Sequence, residues 1–254
     1  MTLTPTRPTI AILAAVPFET EMLRNFWGPW KISDHGGFHL YRRKSAGMII
    51  ELLHSGVGKA NAAAAATLLA LHHPQALLLL GCGGALPGSN LQIGDLALAS
   101  SEIFGDEGVL TLQGFQDLEA MQLPLLGNSF PPLYNTCPVD PDWRERALEE
   151  LTPFAAAAGI SLISGPFITV STCSGTKAGG EILAGRSSGI CENMEGAAAA
   201  LVCARNNIPF CEVRGISNLV EDRNLANWDL AGGARIAQQA LIALLSHDPE
   251  PASA

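Results

Sequence analysis

Short apolar runs alternate with stretches of helical periodicity along most of the chain. Residues 10–16 and 76–81 are nearly continuous apolar runs, which is typical of strands buried on both faces. This alternation predicts an α/β fold with a largely parallel sheet covered by helices on both sides. Further strands are predicted at 48–54, 95–100, 166–171, 189–194 and 210–217, and helices at 18–26, 59–71, 141–158, 176–183, 196–206 and 227–245.

One long segment interrupts this alternation. Residues 101–139 contain glycine, proline and scattered aromatics with little periodicity, and they are too long for a simple connection within a compact domain. Such insertions often shape a site or contact a partner subunit, and we expect one of these roles here. We treat 1–254 as a single domain whose last residues, 248–254, are frayed.

The composition narrows the class of protein. Of 254 residues, 48% are apolar and 15% are charged, which favours a compact globule over a disordered chain. The net charge of -9, without a basic stripe, argues against a nucleic-acid partner. No apolar stretch approaches the ~20 residues that span a bilayer. The six cysteines form no CxxC pair and have no zinc spacing, so we expect reduced thiols, no metal site and a cytoplasmic location.

Two glycine clusters follow apolar strands, yet neither completes a nucleotide-binding motif. The cluster at 55–59 lacks the first glycine of a phosphate loop, because Leu53 stands there, and Ala60 replaces the required Ser or Thr. The cluster at 81–84 lacks the third glycine of the dinucleotide fingerprint, because Leu86 stands there. Backbone at both clusters can still approach a ligand closely, at the carboxyl ends of the strands.

Four polar residues stand at the ends of apolar runs or inside them. Glu19 follows the first predicted strand and Glu195 lies at a strand-to-helix junction. Each of these acids is either an ordinary residue of a first helical turn or a functional carboxylate. Arg214 lies within the apolar run 208–220, where an unpaired charge is very costly, so it needs a carboxylate partner or a ligand. Asn218 is either a turn residue or a ligand-binding carboxamide.

Six short motifs lie in order along the chain: Pro17-Phe18-Glu19-Thr20-Glu21, Ser55-Gly56-Val57-Gly58-Lys59, Gly81-Cys82-Gly83-Gly84-Ala85, Leu91-Gln92-Ile93-Gly94-Asp95, Glu192-Asn193-Met194-Glu195-Gly196 and Arg214-Gly215-Ile216-Ser217-Asn218. Together they resemble the nucleoside phosphorylase/nucleosidase superfamily over residues 10–245. Within it the chain is most similar to 5′-methylthioadenosine/S-adenosylhomocysteine nucleosidases and, closer still, to futalosine hydrolases. Glu221-Asp222-Arg223 and Trp228-Asp229 also look like the futalosine branch.

The resemblance implies a nucleoside phosphorylase-like three-layer α/β/α fold with a central mixed, largely parallel sheet. It implies hydrolysis of a ribose–purine bond without a metal or an organic cofactor, by subunits paired in a homodimer or a higher assembly. It assigns catalytic roles to Glu19, which activates water, to Glu195, which binds the ribose hydroxyls, and to Asn218, which contacts the base. It assigns substrate binding to Met194, Arg214, Ser217, Gly83, Cys82, Cys173, Ser174 and Asn193.

Two departures from the superfamily patterns refine the expected reaction. Phosphorylases hold phosphate with arginines near the first strand and the glycine-rich loop, whereas Glu19 and the arginine-free segment 81–88 favour water as the nucleophile. Adenosine-type nucleosidases carry an aspartate where Asn218 stands. Because a carboxamide has both donor and acceptor edges, it suits a 6-oxopurine, and the expected leaving base is hypoxanthine, as in futalosine.

Three alternatives stay open: a methylthioadenosine-type nucleosidase, a purine nucleoside phosphorylase, and a non-catalytic nucleoside-binding protein. The presence of both acids argues against the binder, which has no use for a carboxylate that activates water. Futalosine also carries an aryl ketone tail with a carboxylate. Phe18, Phe104, Phe115 and Trp228 are candidates for apolar walls around this tail and Arg223 for its cation, with core packing as the alternative for each aromatic.

Overall fold

The computed structural model describes residues 8–44, 47–129 and 131–246. In chain order the strands are β1 (Thr9–Ala14), β2 (Lys31–His35), β3 (Phe38–Lys44), β4 (Ile49–His54), β5 (Ala76–Ala85), β6 (Leu96–Phe104), β7 (Gly108–Thr111), β8 (Gly114–Asp117), β9 (Thr136–Pro138), β10 (Leu162–Thr169), β11 (Cys191–Asn193) and β12 (Phe210–Leu219). The helices are α1 (Glu21–Trp27), α2 (Lys59–Ala70), α3 (Pro141–Ala158), α4 (Lys177–Ser187), α5 (Gly196–Asn206) and α6 (Leu230–Ser246). The predicted frayed tail, 248–254, lies outside the described residues.

Within the described residues, ten strands form one mixed sheet in the order β11-β10-β6-β12-β5-β1-β4-β3-β2, with β9 beside β6. The central strands β4, β1, β5 and β12 run parallel to one another. Strand β11 pairs with β10 and also, antiparallel, with β5, so that β5, β11, β10, β6 and β12 close into a ring. This closure brings β11 beside the carboxyl-terminal parts of β5 and β12.

The predicted α/β fold with a central mixed sheet is confirmed. Alternate residues of β1 show the layering: Ala11 and Leu13 pack into one core with α2 and α5, whereas Ile10 and Ile12 pack into another with α1, α3 and α6. Both faces of the sheet are therefore covered, which explains the nearly continuous apolar runs. No helix in the described part of the chain combines the length and apolarity needed to cross a membrane.

Several element boundaries differ from the predictions. Strand β5 continues through the glycine cluster at 81–84 to Ala85, so these glycines lie in the strand and not after it. Helix α1 begins at Glu21, because a 3₁₀ turn, Pro17–Thr20, precedes it. Helix α6 begins at Leu230 and not at residue 227, because Asp229 Oδ1 accepts from Gly232 N at 2.8 Å and caps the first turn.

The antiparallel strands are the elements that the sequence pattern missed. The hairpin β2–β3 extends the sheet beyond β4, and β7–β8 and β9 lie in the segment 101–139. These strands are short and half-exposed, and they lack the continuous apolar runs of the central ones. The antiparallel share of the sheet is accordingly larger than the sequence indicates.

Helix α6 approaches β12 at a point where neither element has room for a side chain. A Cβ on Gly215 would overlap the carbonyl oxygen of Gly233, and a Cβ on Gly233 would lie 2.9 Å from the carbonyl oxygen of Gly215. Asp229 N donates to Ser217 O at 2.8 Å just before the helix starts. This close contact fixes the part of β12 that carries Arg214 and Ser217.

We expect Gly215→Ala to lower the free energy of unfolding by about 1–3 kcal/mol, because the added methyl group overlaps backbone that cannot rotate away. Gly185→Ala is the matched control, since Gly185 lies on the exposed face of α4 and its Cβ would meet nothing within 4 Å. That control should be neutral or stabilise the protein by up to about 1 kcal/mol. Chemical denaturation measures both, and equal stabilities for the two variants would contradict this account of the α6–β12 contact.

Candidate active site

The residues singled out in the sequence line one pocket of about 300 Å³. It lies among β5, β11, β12 and the turn after β1, beside the part of the sheet that closes into a ring. The structure brings together Glu19, Cys82, Gly83, Cys173, Ser174, Asn193, Met194, Glu195, Arg214, Ser217 and Asn218, all of which line the pocket. The sequence therefore selected residues that are distant along the chain and adjacent in space.

Glu19 is held in the 3₁₀ turn after β1 by three backbone groups. Its Oε2 accepts from Ala15 N at 3.1 Å and from Val16 N at 3.2 Å, and its Oε1 accepts from Cys82 N at 2.9 Å. Burial raises the pKa of Glu19, although Arg214 and the backbone donors act in the opposite direction. The carboxylate is thus fixed in position and more basic than an exposed glutamate.

Glu195 is the N-cap residue of α5, but its side chain does not cap the helix. The capping acceptor is Asn193 Oδ1, which accepts from Glu195 N at 2.9 Å and from Gly196 N at 2.8 Å. Glu195 Oε1 instead accepts from Gly58 N at 2.9 Å, and its Oε2 lies 3.3 Å from Arg214 Nη2. The glycine cluster at 55–59 therefore reaches a carboxylate and not a phosphate, and Gly58, at φ 98°, supplies the donor.

Arg214 is 2% exposed and satisfies its charge through three different partners. Its Nε donates to Glu212 Oε1 at 2.7 Å, its Nη1 to Cys82 O at 3.0 Å, and its Nη2 to Glu195 at 3.3 Å. Burial opposes the charged form, but Glu212, Glu195 and Glu19 outweigh it and raise the pKa of Arg214. The prediction that this cation needs a carboxylate partner is confirmed.

Gly81 explains how Glu19 and Arg214 meet. A Cβ on this residue would lie 2.6 Å from Arg214 Nη1 and 2.7 Å from Glu19 Oε1. The glycine leaves the space in which the guanidinium of β12 approaches the carboxylate of the turn after β1. A side chain at this position of β5 would separate the two charged groups.

The other end of the pocket carries Asn218 and Glu192. Both residues pair in register with Gly84 of β5, one from each neighbouring strand, so they flank a position without a side chain. Asn218 Oδ1 accepts from Ser217 Oγ at 2.9 Å and its Nδ2 donates to Leu219 O at 3.3 Å, which leaves the Nδ2 group beside Gly84. Glu192 accepts from Ser174 N at 3.0 Å and from Ser174 Oγ at 2.6 Å.

Glu192 is a pocket residue that the sequence reasoning missed. Its signal was a carboxylate inside the apolar run 189–194, the same kind of signal that pointed to Arg214. Burial raises the pKa of Glu192, whereas the two bonds from Ser174 lower it. The pocket thus has carboxylates at both ends.

The two thiols in the pocket have raised pKa values. Burial raises the pKa of Cys82 to about 12 and that of Cys173 to about 11, so both stay protonated at neutral pH. All six cysteines are free, as expected, and those outside the pocket are buried. Among the described residues, no group of three or more His, Cys, Asp or Glu side chains is arranged to hold a metal ion.

The predicted apolar walls are partly wrong. Phe18, Trp228 and Arg223 do line the pocket, and the guanidinium of Arg223 stacks on Trp228 with its carbon 4.7 Å from the ring centre. Phe104 is buried in β6 with the ammonium of Lys59 5.6 Å from its ring, and Phe115 lies under Arg186. Periodicity cannot distinguish an aromatic beside the pocket from one packed elsewhere on the same sheet.

This geometry places a fixed, basic carboxylate beside a pocket in which a second carboxylate is held by Arg214. Such a pair can activate water and stabilise positive charge on a sugar ring. The chain matches the phosphorylase superfamily over residues 9–247, and it belongs to this family.

Its relatives include nucleosidases of two kinds. It is 33% identical over 177 residues to the futalosine hydrolase of Acidothermus cellulolyticus, a segment that spans 69% of this chain and 66% of that relative. It is 28% identical over 247 residues to the 5′-methylthioadenosine/S-adenosylhomocysteine nucleosidase of Haemophilus ducreyi, covering 94% and 97% of the two chains. The fold matches futalosine hydrolase of Helicobacter pylori with a TM-score of 0.81 at 23% identity, over 95% of this chain and 98% of that one. The protein is an N-glycosyl hydrolase of the nucleosidase type.

We expect Glu19→Gln to lower kcat by about 10²–10⁴, because an amide cannot take a proton from water, with nucleoside binding largely kept. The wild-type kcat/KM should fall as the pH drops through the raised pKa of Glu19, because only the ionised carboxylate, which predominates above that pKa, can take a proton from water. Release of free base measures both. Glu21→Gln, on the exposed side of α1, is the control, and a Glu19→Gln variant with near-normal kcat would exclude this role.

Proposed function

We propose that the protein hydrolyses the N-glycosidic bond of futalosine and releases hypoxanthine and dehypoxanthine futalosine, a step of menaquinone biosynthesis. The observation that carries this proposal is the pair of polar residues at the base end, Glu192 and Asn218, on either side of Gly84. The family and the acids explain cleavage of a nucleoside. The base end is what argues for a 6-oxopurine.

Glu19 acts in this proposal as the base that deprotonates water. Breaking the bond makes the ribose oxocarbenium-like, as sugar hydrolysis does. Glu195 accepts hydrogen bonds from the ribose hydroxyls and stabilises this charge, while Met194 packs against the sugar. Arg214 keeps Glu195 in place. Residues near 173–174 and the backbone around Gly83 contact the base.

The charges of the pocket favour water over phosphate. Three carboxylates line it, those of Glu19, Glu192 and Glu195. The guanidinium of Arg214 is already bonded to Glu212, Glu195 and Cys82 O. A phosphate dianion beside Glu19 would meet repulsion without an uncommitted cation next to it, which supports hydrolysis over phosphorolysis.

The polar groups of Glu192 and Asn218 support hypoxanthine as the leaving base in this proposal. One N–H of Asn218 Nδ2 donates to Leu219 O at 3.3 Å, and the second N–H can donate to N7 or O6, which are both acceptors in hypoxanthine. Glu192 offers an acceptor to the N1–H group. Adenine carries an amino group in place of O6, so its donor would face the Asn218 donor. Its N1 is an acceptor and would face the Glu192 carboxylate. Each mismatch would cost about 1–3 kcal/mol of binding free energy.

The 5′ side of the pocket can accept an apolar tail that ends in a carboxylate. Trp228 and Phe18 supply aromatic surface, and Arg223, stacked on Trp228, supplies a cation at the same wall. The tail of futalosine has this combination, whereas the tail of methylthioadenosine carries no charge.

A 5′-methylthioadenosine/S-adenosylhomocysteine nucleosidase is the second candidate, because the relative from Haemophilus ducreyi aligns over 94% of this chain. We further propose a cytoplasmic homodimer or assembly of dimers. Phe18 and Val57 line the pocket and are 46% and 51% exposed, so a second subunit would cover apolar surface at the pocket mouth.

Incubation with futalosine, inosine and methylthioadenosine, with and without phosphate, separates the candidates. We expect hypoxanthine from futalosine at a rate independent of phosphate. Adenine from methylthioadenosine alone would favour the second candidate. Phosphate-dependent release would indicate a phosphorylase, and no release from any nucleoside would leave only a binding protein.

The base-reading pair is tested by Asn218→Asp and Glu192→Gln. Each variant reverses one hydrogen-bonding edge, so each should shift the kcat/KM ratio of futalosine to its 6-amino analogue about 10–100-fold toward the analogue. Glu221→Gln is the control, because Glu221 bonds Asn227 and does not line this pocket. Unchanged ratios in both variants would refute the assignment of base specificity to this pair.

A further inference from the structure

Two buried glutamates contact pocket residues without lining the pocket themselves. Glu102 of β6 and Glu212 of β12 are both 0% exposed. Their carboxyl groups converge on the first residue of α5, since a Cβ on Gly196 would overlap Glu102 Oε1 and Glu212 Oε2 together. The absence of a side chain at Gly196 creates the space in which the two acids meet.

Three of the four carboxyl oxygens have donors. Glu102 Oε1 accepts from Asn193 Nδ2 at 2.9 Å, and its Oε2 accepts from Thr169 Oγ1 at 2.6 Å. Glu212 Oε1 accepts from Arg214 Nε at 2.7 Å. Glu212 Oε2 has no donor within the described part of the chain. This unpartnered oxygen lies where Glu102 Oε1 approaches.

A proton between Glu102 Oε1 and Glu212 Oε2 supplies the missing donor. Two ionised carboxylates in contact, fully buried, would repel each other at great cost. We propose that Glu102 and Glu212 share one proton and that the pair is a positioning device for Glu195. The kcat test of this inference rests on the proposed function of Glu195, whereas the test of the shared proton does not.

The pair reaches Glu195 by two routes. Glu212 holds Arg214, whose Nη2 contacts the Glu195 carboxylate. Glu102 holds the Asn193 side chain, whose Oδ1 accepts from Glu195 N. The backbone and the carboxylate of Glu195 are therefore both fixed by groups that end at the same shared proton.

The charges around the pair agree with one retained proton. Arg214 is the cation that faces it, and Glu195 and Glu19 share this cation. The other titratable neighbours are the thiols of Cys137, Cys191 and Cys211, which burial keeps protonated. Burial and then Glu212 raise the pKa of Glu102 well above its ordinary value, and burial also raises the pKa of Glu212.

We expect the substitutions Glu212→Gln and Glu102→Gln to have different effects. In Glu212→Gln the amide Nε2 can replace the shared proton and donate to Glu102, while its oxygen still accepts from Arg214. In Glu102→Gln an amide group that donates to Glu212 would face Asn193 Nδ2, a second donor. Asn193 cannot turn around, because its Oδ1 caps α5.

We expect Glu212→Gln to keep kcat within about fivefold of the wild type, and Glu102→Gln to lower it by about 10–100-fold with a smaller change in KM. The rates are measured on the cleaved nucleoside at a temperature where circular dichroism shows all variants folded. Glu51→Gln is the control, because Glu51 is buried and paired with Arg42 and His72 outside the pocket. It should lower the melting temperature and leave kcat unchanged. Equal kcat values for the two test variants would overturn the positioning role.

A substrate-free measurement tests the shared proton itself. Infrared difference spectra of the wild-type protein against Glu212→Gln at pH 7–8 should show the C=O band of a protonated carboxyl group that the variant lacks. Stability gives a second readout: because the folded pKa is raised, the wild type should lose stability as the pH rises through it, and Glu212→Gln should lose less. Absence of the band from the wild type would overturn the proposal, whichever nucleoside is cleaved.

Discussion

The buried guanidinium of Arg214 is a full positive charge inside the protein, and the site is arranged around it. A charge in this position is tolerated only with carboxylate partners and hydrogen-bond acceptors close to it. Glu212 comes from the same strand, Glu195 from the start of α5, and Glu19 from the turn after β1. The need to neutralise one cation thus draws three elements, distant in sequence, into contact at one end of the sheet.

Glycine makes this arrangement possible, because side chains at a few positions would fill the space that the charged groups occupy. Gly81 leaves room for Arg214 beside Glu19, and Gly196 leaves room for Glu102 beside Glu212. Gly58 contributes its backbone N–H to Glu195. The glycine clusters resemble phosphate-binding loops in composition, but here they accommodate carboxylates. The same backbone freedom therefore accommodates a different anionic group, a side-chain carboxylate in place of a phosphate.

The pocket divides into parts with separate chemistry. Glu19, Glu195 and Arg214 form the end suited to water and ribose, and they agree with membership in a superfamily that acts at the nucleoside bond. Glu192 and Asn218 lie at the other end, which the proposed function assigns to the purine base. Specificity in this scheme depends on hydrogen-bonding edges and not on the catalytic acids, so the same reaction can be directed to different bases by a few residues.

The central strands, the helices at 141–158 and 196–206, and most of the polar residues that line the pocket were predictable from the sequence. Buried runs, capping patterns and charges inside apolar segments are local signals, and they survive folding unchanged. The weak hairpins were not predictable, because their half-exposed strands carry no strong pattern.

Phe104 and Phe115 lie away from the pocket and Glu192 lies in it, and only the pairing of strands decides this. Glu102 and Glu212 are 110 residues apart in sequence. They meet because the closed ring of strands brings both carboxyl groups to Gly196. Sequence thus determined which groups must be neutralised, and tertiary structure decided which partners neutralise them.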